Sequence, residues 1–172
     1  MENFVYLVNN ENVVVALRGI GIYNVVSLKT PLEHTFQWTD LGIQAKRVVI
    51  LFDSRDEMER TAEILLCCGV SVAVIAPCGK SAEEFVKKCS GSEPFSDYVQ
   101  DDIQDYIEYL VGELLICELK PAGQIDAIKR IADSIDNIPD GISRQVYLNY
   151  LAMMASVPVE LLLKYLDDKI PF

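Results

Sequence analysis

The chain has 172 residues, half of them apolar, and its 26 acidic side chains against 15 basic ones give a formal net charge of −11. That length suits one domain of ordinary size with a small appended one, and the apolar share excludes wholesale disorder. No apolar run nears the roughly 18 residues of a membrane span, and no basic start with an apolar stretch marks a signal peptide.

Residues 4–8, Phe-Val-Tyr-Leu-Val, read as a first strand, and residues 11–17 as a short helix ending at Arg18-Gly19. Residues 23–27 read as a second strand, followed after Pro31 by an irregular piece that holds His34 and Trp38. Residues 47–52 are a near-continuous apolar run rich in β-branched side chains, the pattern of a strand buried on both faces. Asp53 stands at its carboxyl tip, where open α/β sheets place ligands. A helix is expected over 57–68 with Ala62, Leu65 and Leu66 towards the sheet, stopped by Gly69. A fourth strand follows over 70–76, closed by Pro77. Strands alternating with helices predict a mostly parallel sheet flanked by helices.

Beyond the polar loop at 90–94 there is no strand signal. Ile103, Tyr106, Ile107, Leu110, Val111, Leu114 and Leu115 recur at helical spacing and form one apolar face. Pro121 starts a second helix with Ile125, Ile128, Ile131 and Ile135 inward. Asp140 is the expected N-cap of a third, which carries Val146, Tyr147, Tyr150, Leu151 and Met154. Pro158 opens a last helix with Leu162, Leu163 and Leu166. The expected division is an α/β domain at 1–92 and an all-α subdomain at 93–172.

Residues 1–95 carry 9 basic against 12 acidic side chains, whereas residues 96–172 carry 6 against 14, so the acidity lies in the helical half. Such a balance does not favour long-range attraction to nucleic acid. Lys46-Arg47 and Lys87-Lys88 read as solvated surface pairs. The five cysteines, Cys67, Cys68, Cys78, Cys89 and Cys117, form no CxxC pair, and His34 is the one histidine, so structural zinc is not expected. Reduced thiols in a cytosol fit the odd count, with Cys67 and Cys68 as small buried hydrophobes.

The order of several short segments resembles bacterial DNA primases of the DnaG type: the Toprim domain of the catalytic core and the helical tail behind it. Val8-Asn9-Asn10-Glu11-Asn12-Val13-Val14 stands where that family has V-E-G-x-x-D-V. Gly21-Ile22-Tyr23-Asn24-Val25-Val26-Ser27 is similar to its G-x-x-N-x-V-A/S. Phe52-Asp53-Ser54-Arg55-Asp56 stands where the family has F-D-G-D, and the segment from Ala76 to Glu83 stands where it has L-P-x-G-x-D-x-D. Ile138-Pro139-Asp140 with Arg144, Tyr147 and Leu148 resembles I-P-D…R…Y-L of the tail.

The departures fall on the chemistry. The resemblance places the family's acid–base glutamate on Asn9, its first aspartate on Val13, and the second aspartate of D-x-D on Arg55. In the last motif its aspartates fall on Ser81 and Glu83. Of the carboxylates the resemblance implies, Asp53 and Glu83 remain, with Asp56 and Glu11 nearby but out of register. Magnesium needs convergent oxygens; Val13 offers none, and Arg55 places a cation where metal would sit and is expected to pair with Asp53 or Asp56. No cofactor is expected from the residues alone, and magnesium follows only from the resemblance. The expected function is a non-catalytic, primase-related binding module in DNA replication, with a replication protein or DNA as partner. Two alternatives stay open: a magnesium-dependent nucleotidyl transferase or nuclease rebuilt on Asp53, Asp56, Glu11 and Glu83, and a regulatory α/β docking module unrelated to DNA.

Overall fold

The computed structural model describes residues 4–29, 32, 47–76, 81–89 and 102–169. The expectations for His34, Trp38, Lys46, Pro77, Cys78 and the 90–94 loop lie outside the described residues. The chain divides into two compact units, Met1–Asp105 and Tyr106–Phe172.

The first unit is built on a five-stranded sheet in the order β2-β1-β3-β4-β5. Its strands are β1 (Phe4–Val8), β2 (Val25–Ser27), β3 (Arg47–Leu51), β4 (Ser71–Val74) and β5 (Gln104–Asp105). The first four run parallel, with Tyr6 beside Val25, Val8 beside Leu51, and Ile50 beside Val74. β5 pairs antiparallel to β4, Val74 beside Gln104. The helix-only expectation beyond residue 92 is therefore corrected by one short strand. Two polar residues, Gln and Asp, give no strand pattern; the open edge of β4 recruits their backbone.

Alternation along the strands sends side chains to opposite faces. Tyr6, Val8, Val49, Leu51, Ala73 and Ile75 form one buried layer with Val13, Val14 and Leu17 of helix α1 (Glu11–Gly19) and with Ala82 and Val86 of α3 (Ala82–Cys89). The alternate set, Leu7, Val48, Ile50, Val72 and Val74, is equally buried. Helix α2 (Arg55–Cys67) packs along β3 and β4. It starts two residues before the expected position because Ser54 is its N-cap. Its Met58, Ala62, Leu65 and Leu66 are buried, and Gly69 ends the segment at φ +74°. Cys67 is exposed and Cys68 half-buried, contrary to the expectation of two buried thiols. Cys67 falls on the outer side of the helix, one position past buried Leu66.

The second unit is helical. Its first segment is not one continuous α-helix: α4 (Tyr106–Leu110) passes into a π-helical turn at Val111–Ile116. The apolar face survives the change, with Tyr106, Ile107, Leu110, Val111 and Leu115 all buried. Then follow α5 (Pro121–Asp136), α6 (Gly141–Ala155) and α7 (Val159–Asp167), which pack against one another. Pro121 opens α5 as expected, and Asp140 caps α6 by accepting the Ser143 N–H at 2.7 Å. On α5, Ile131 and Ile135 are buried, but Ile125 is half-exposed. On α6 the buried residues are Leu148, Leu151 and Ala152, while Val146 and Met154 face out. An apolar side chain on both faces of a helix leaves periodicity unable to say which face is inside.

Three outcomes test this description. Ile131→Ala should cost about 2–5 kcal/mol, read from urea unfolding, because a fully buried side chain leaves a cavity. Ser156 ends α6 in the left-handed region at φ 54°. Ser156→Gly should therefore stabilise by about 0.5 kcal/mol after the extra unfolded-state entropy is counted, seen as a higher Tm. The hydrogen bond from Ser143 holds the Asp140 carboxyl below its ordinary range. A depressed carboxyl stabilises above its unfolded value, near 3.9, and loses that contribution as pH falls through the folded value. Asp140→Asn keeps a capping side chain, and should show a flatter fall of Tm across that acid window.

Candidate functional site

β2 and β3 lie on opposite sides of β1, so the strand order reverses between β1 and β3. That reversal opens a crevice at the carboxyl ends of the strands. Asn9 follows β1 directly, and Phe52 and Asp53 follow β3. A cavity of about 400 Å³ lies here, lined by Asn9, Leu28, Phe52, Thr61 and four charged side chains: Lys29, Asp56, Glu57 and Arg60. Asn9 Nδ2 donates to Glu57 Oε2 at 2.8 Å, tying the tip of β1 to the first turn of α2. Asn9 Oδ1 is buried and has no partner among the described residues. Such an acceptor destabilises unless a donor reaches it. With two cations and two anions on its wall, the cavity offers hydrogen bonds and a balanced charge.

The other expected site residues have separate tasks. Val13 is fully buried in the α1 layer of the core. Glu11 is exposed in the first turn of α1. Asp53 Oδ1 accepts the Ala82 N–H at 2.6 Å, so its carboxylate anchors the start of α3. Ser81 caps the same helix: its Oγ accepts the Glu84 N–H at 3.2 Å, and Glu84 Oε2 accepts the Ser81 N–H at 3.4 Å. That reciprocal pair is a capping box. Glu83 Oε1 accepts from Lys87 Nζ at 2.6 Å, one turn along α3. The lysine bond, with a lesser one from the Asn12 side chain, holds the Glu83 carboxyl below its ordinary range. Arg55 Nε donates to Glu59 Oε1 at 2.7 Å, one turn along α2.

The structure thus brings Asn9 and Asp56 to one cavity and puts Asp53, Ser81 and Glu83 to work at α3. Among the described residues no group of three or more His, Cys, Asp or Glu converges for a metal. Asp53, Glu83, Asp56 and Glu11 are not gathered into such a group. Magnesium, implied by the resemblance, does not fit this donor set: a core valine, a guanidinium, a hydroxyl and two carboxylates held by N–H donors. Sequence reasoning missed Glu57, Lys29 and Arg60. Their signal was available, since each lies at the end of β2 or within the first two turns of α2, beside the strand tips. It also missed α3, although Ser81-Ala82-Glu83-Glu84 has the S-x-x-E form of a helix start.

The fold has solved counterparts. The zinc-binding and RNA polymerase domains of the Aquifex aeolicus primase superpose with a TM-score of 0.75 at 26% identity, covering 98% of this chain and 40% of that one. The chain is primase-like, of the DnaG type. A DNA primase domain from Pseudomonas aeruginosa gives a TM-score of 0.77 at 18% identity over 95% of the primase-like chain and 54% of its own. The E. coli primase catalytic core gives 0.70 at 20% identity over 91% and 52%. The primase-like chain therefore spans about half the length, or less, of these structures. A family model described as the DnaB-helicase binding domain of primase matches residues 119–160, which contain α5 and α6. Comparison with curated proteins gives no match.

The anchoring role of Asp53 has a direct readout. Asp53→Ala should destabilise by about 0.5–2 kcal/mol, the range for a lost capping acceptor, and should speed amide hydrogen exchange in α3. Unchanged exchange across residues 82–89 would show that α3 does not need the carboxylate.

Proposed function

We propose that this primase-like chain is a non-catalytic binding module of DNA replication, and that its partner is a DnaB-type replicative helicase. The observation that carries the partner is the helicase-binding family match over residues 119–160. In this reading the Toprim-like α/β part, about residues 1–92 with β5 added at its edge, serves as scaffold. The helical part makes the contact. The chain acts in the cytosol; among the described residues no helix is long and apolar enough to cross a membrane.

Loss of catalysis is supported by the site chemistry. Phosphoryl transfer of the primase type relies on magnesium to neutralise developing charge, and magnesium is held by carboxylates and phosphate oxygens. Asn9 cannot exchange a proton as a glutamate does. Val13 and Arg55 offer no anionic oxygen, Ser81 offers a hydroxyl already used in a helix cap, and Asp53 holds an amide. The acidic surface, with a net charge of −11, gives a nucleic-acid template no general attraction.

Two measurements test the proposal. Calorimetry of the 172-residue chain with the replicative helicase encoded in the same genome should give saturable binding; no heat at micromolar concentrations would remove the helicase reading. In a primer-synthesis assay with template and magnesium the chain alone should make no product. Product that vanishes in Asp53→Ala would restore the enzyme reading.

A further inference from the structure

Helix α6 contains one charged residue in fifteen, Arg144, and its guanidinium reaches Asp136 at 3.4 Å. The rest of the helix is apolar or neutral in a chain that carries 41 charged side chains, 15 basic and 26 acidic. Its buried side is Leu148, Leu151 and Ala152. The opposite side carries Ile142, Val146, Asn149 and Met153, at offsets 0, 4, 7 and 11, which fall within about 60° of one another at 3.6 residues per turn. Ile142 is 79% exposed, Val146 60% and Met153 67%. Gln145 and Asn149, hydrogen-bonded to each other at 3.1 Å, add polar atoms without charge.

A solvated helix face normally carries charge. A face of isoleucine, valine and methionine bordered by neutral amides matches the apolar centre of a protein interface, which is depleted in charge and enriched in methionine. Singly exposed apolar residues need no explanation, but three within about 60° of one another on one helix face form an apolar stripe, broken only by the amide of Asn149. The stripe alone is smaller than the roughly 800 Å² that each partner gives to a stable contact, so it forms the centre of a larger patch with a polar rim.

Charge decides the occupant. Residues 106–172 carry 10 acidic against 6 basic side chains, so the surroundings favour a partner whose own apolar patch has a basic rim. Two copies joined through this face would set one −11 chain against another, which like-charge repulsion disfavours. The stripe lies wholly within the residues matched by the helicase-binding family. We infer that Ile142, Val146 and Met153 on the outer face of α6 are the docking surface for the helicase, meeting an apolar, basic-rimmed patch on it. The inference rests on the helicase reading above and adds the surface to it.

The test uses the full chain, the same helicase, and calorimetry, with the paired variant Val146→Glu/Met153→Glu. The control is Leu161→Glu on α7, 57% exposed and outside the matched residues. The expected result is at least a tenfold weaker Kd for the paired variant, no change for the control, and an unchanged Tm for both. Binding by the parent chain that the paired variant retains would overturn the surface and leave the helicase reading standing. No binding by the parent chain would remove that reading and the surface with it. An equal loss in the control would assign the effect to added negative charge in general. A lowered Tm in the paired variant would show that the face is covered within the chain. A parent dimer in sedimentation that the variant dissolves would assign the face to a second copy.

Discussion

Burial of β1 and β3 on both faces is the constraint on which the first unit depends. Leu7, Val8, Val48, Ile50 and Leu51 are almost wholly shielded from solvent, and no strand can achieve that with helices on one side only. α1 and α3 must cover one face while α2 covers the other. β2 and β3 lie on opposite sides of β1, and that reversal makes the crevice. The place where chemistry could happen is a by-product of how the apolar strands are hidden.

The residues after the strand ends show how the helices that follow are started. Helix starts expose N–H groups that need acceptors, and the oxygens at hand answer them. Asp53 serves Ala82, Ser81 and Glu84 serve each other, and Ser54 serves Glu57. Asn9 joins β1 to α2 through Glu57 and keeps one oxygen spare. The second unit solves a different problem. A helical bundle can bury only part of each helix, and α6 has enough apolar residues for two faces, one of which the bundle uses.

The fold class was legible because long apolar strands and Pro- and Gly-marked helix ends are local signals. The 47–52 run, Pro121 and Asp140 stand where the pattern put them. β5 was not legible, because Gln104 and Asp105 become a strand through the edge of β4 and not through their own preference. The π turn at Val111–Ile116 was hidden for the opposite reason: its buried side chains keep the spacing of a helix. On α6, apolar residues on both sides made Val146 and Met154 look interior. At the site, residue types showed where other residues stand at the carboxylate positions that the resemblance implies, but not what Asp53 and Glu83 do. That Asp53 meets Ala82 depends on contact across 29 positions of sequence, which no local pattern carries.

The Asp53–Ala82 bond also closes a loop in the chain: it ties the tip of β3 to the first amide of α3 across 29 positions of sequence. The seat of α3 on the sheet and the position of the β3 tip are thus coupled through one side chain, so a shift at either end is felt at the other. Ala82, whose amide makes that bond, is itself part of the buried layer that holds Val13 and Leu17, and the strand tip is thereby wired into the core rather than left as a free edge.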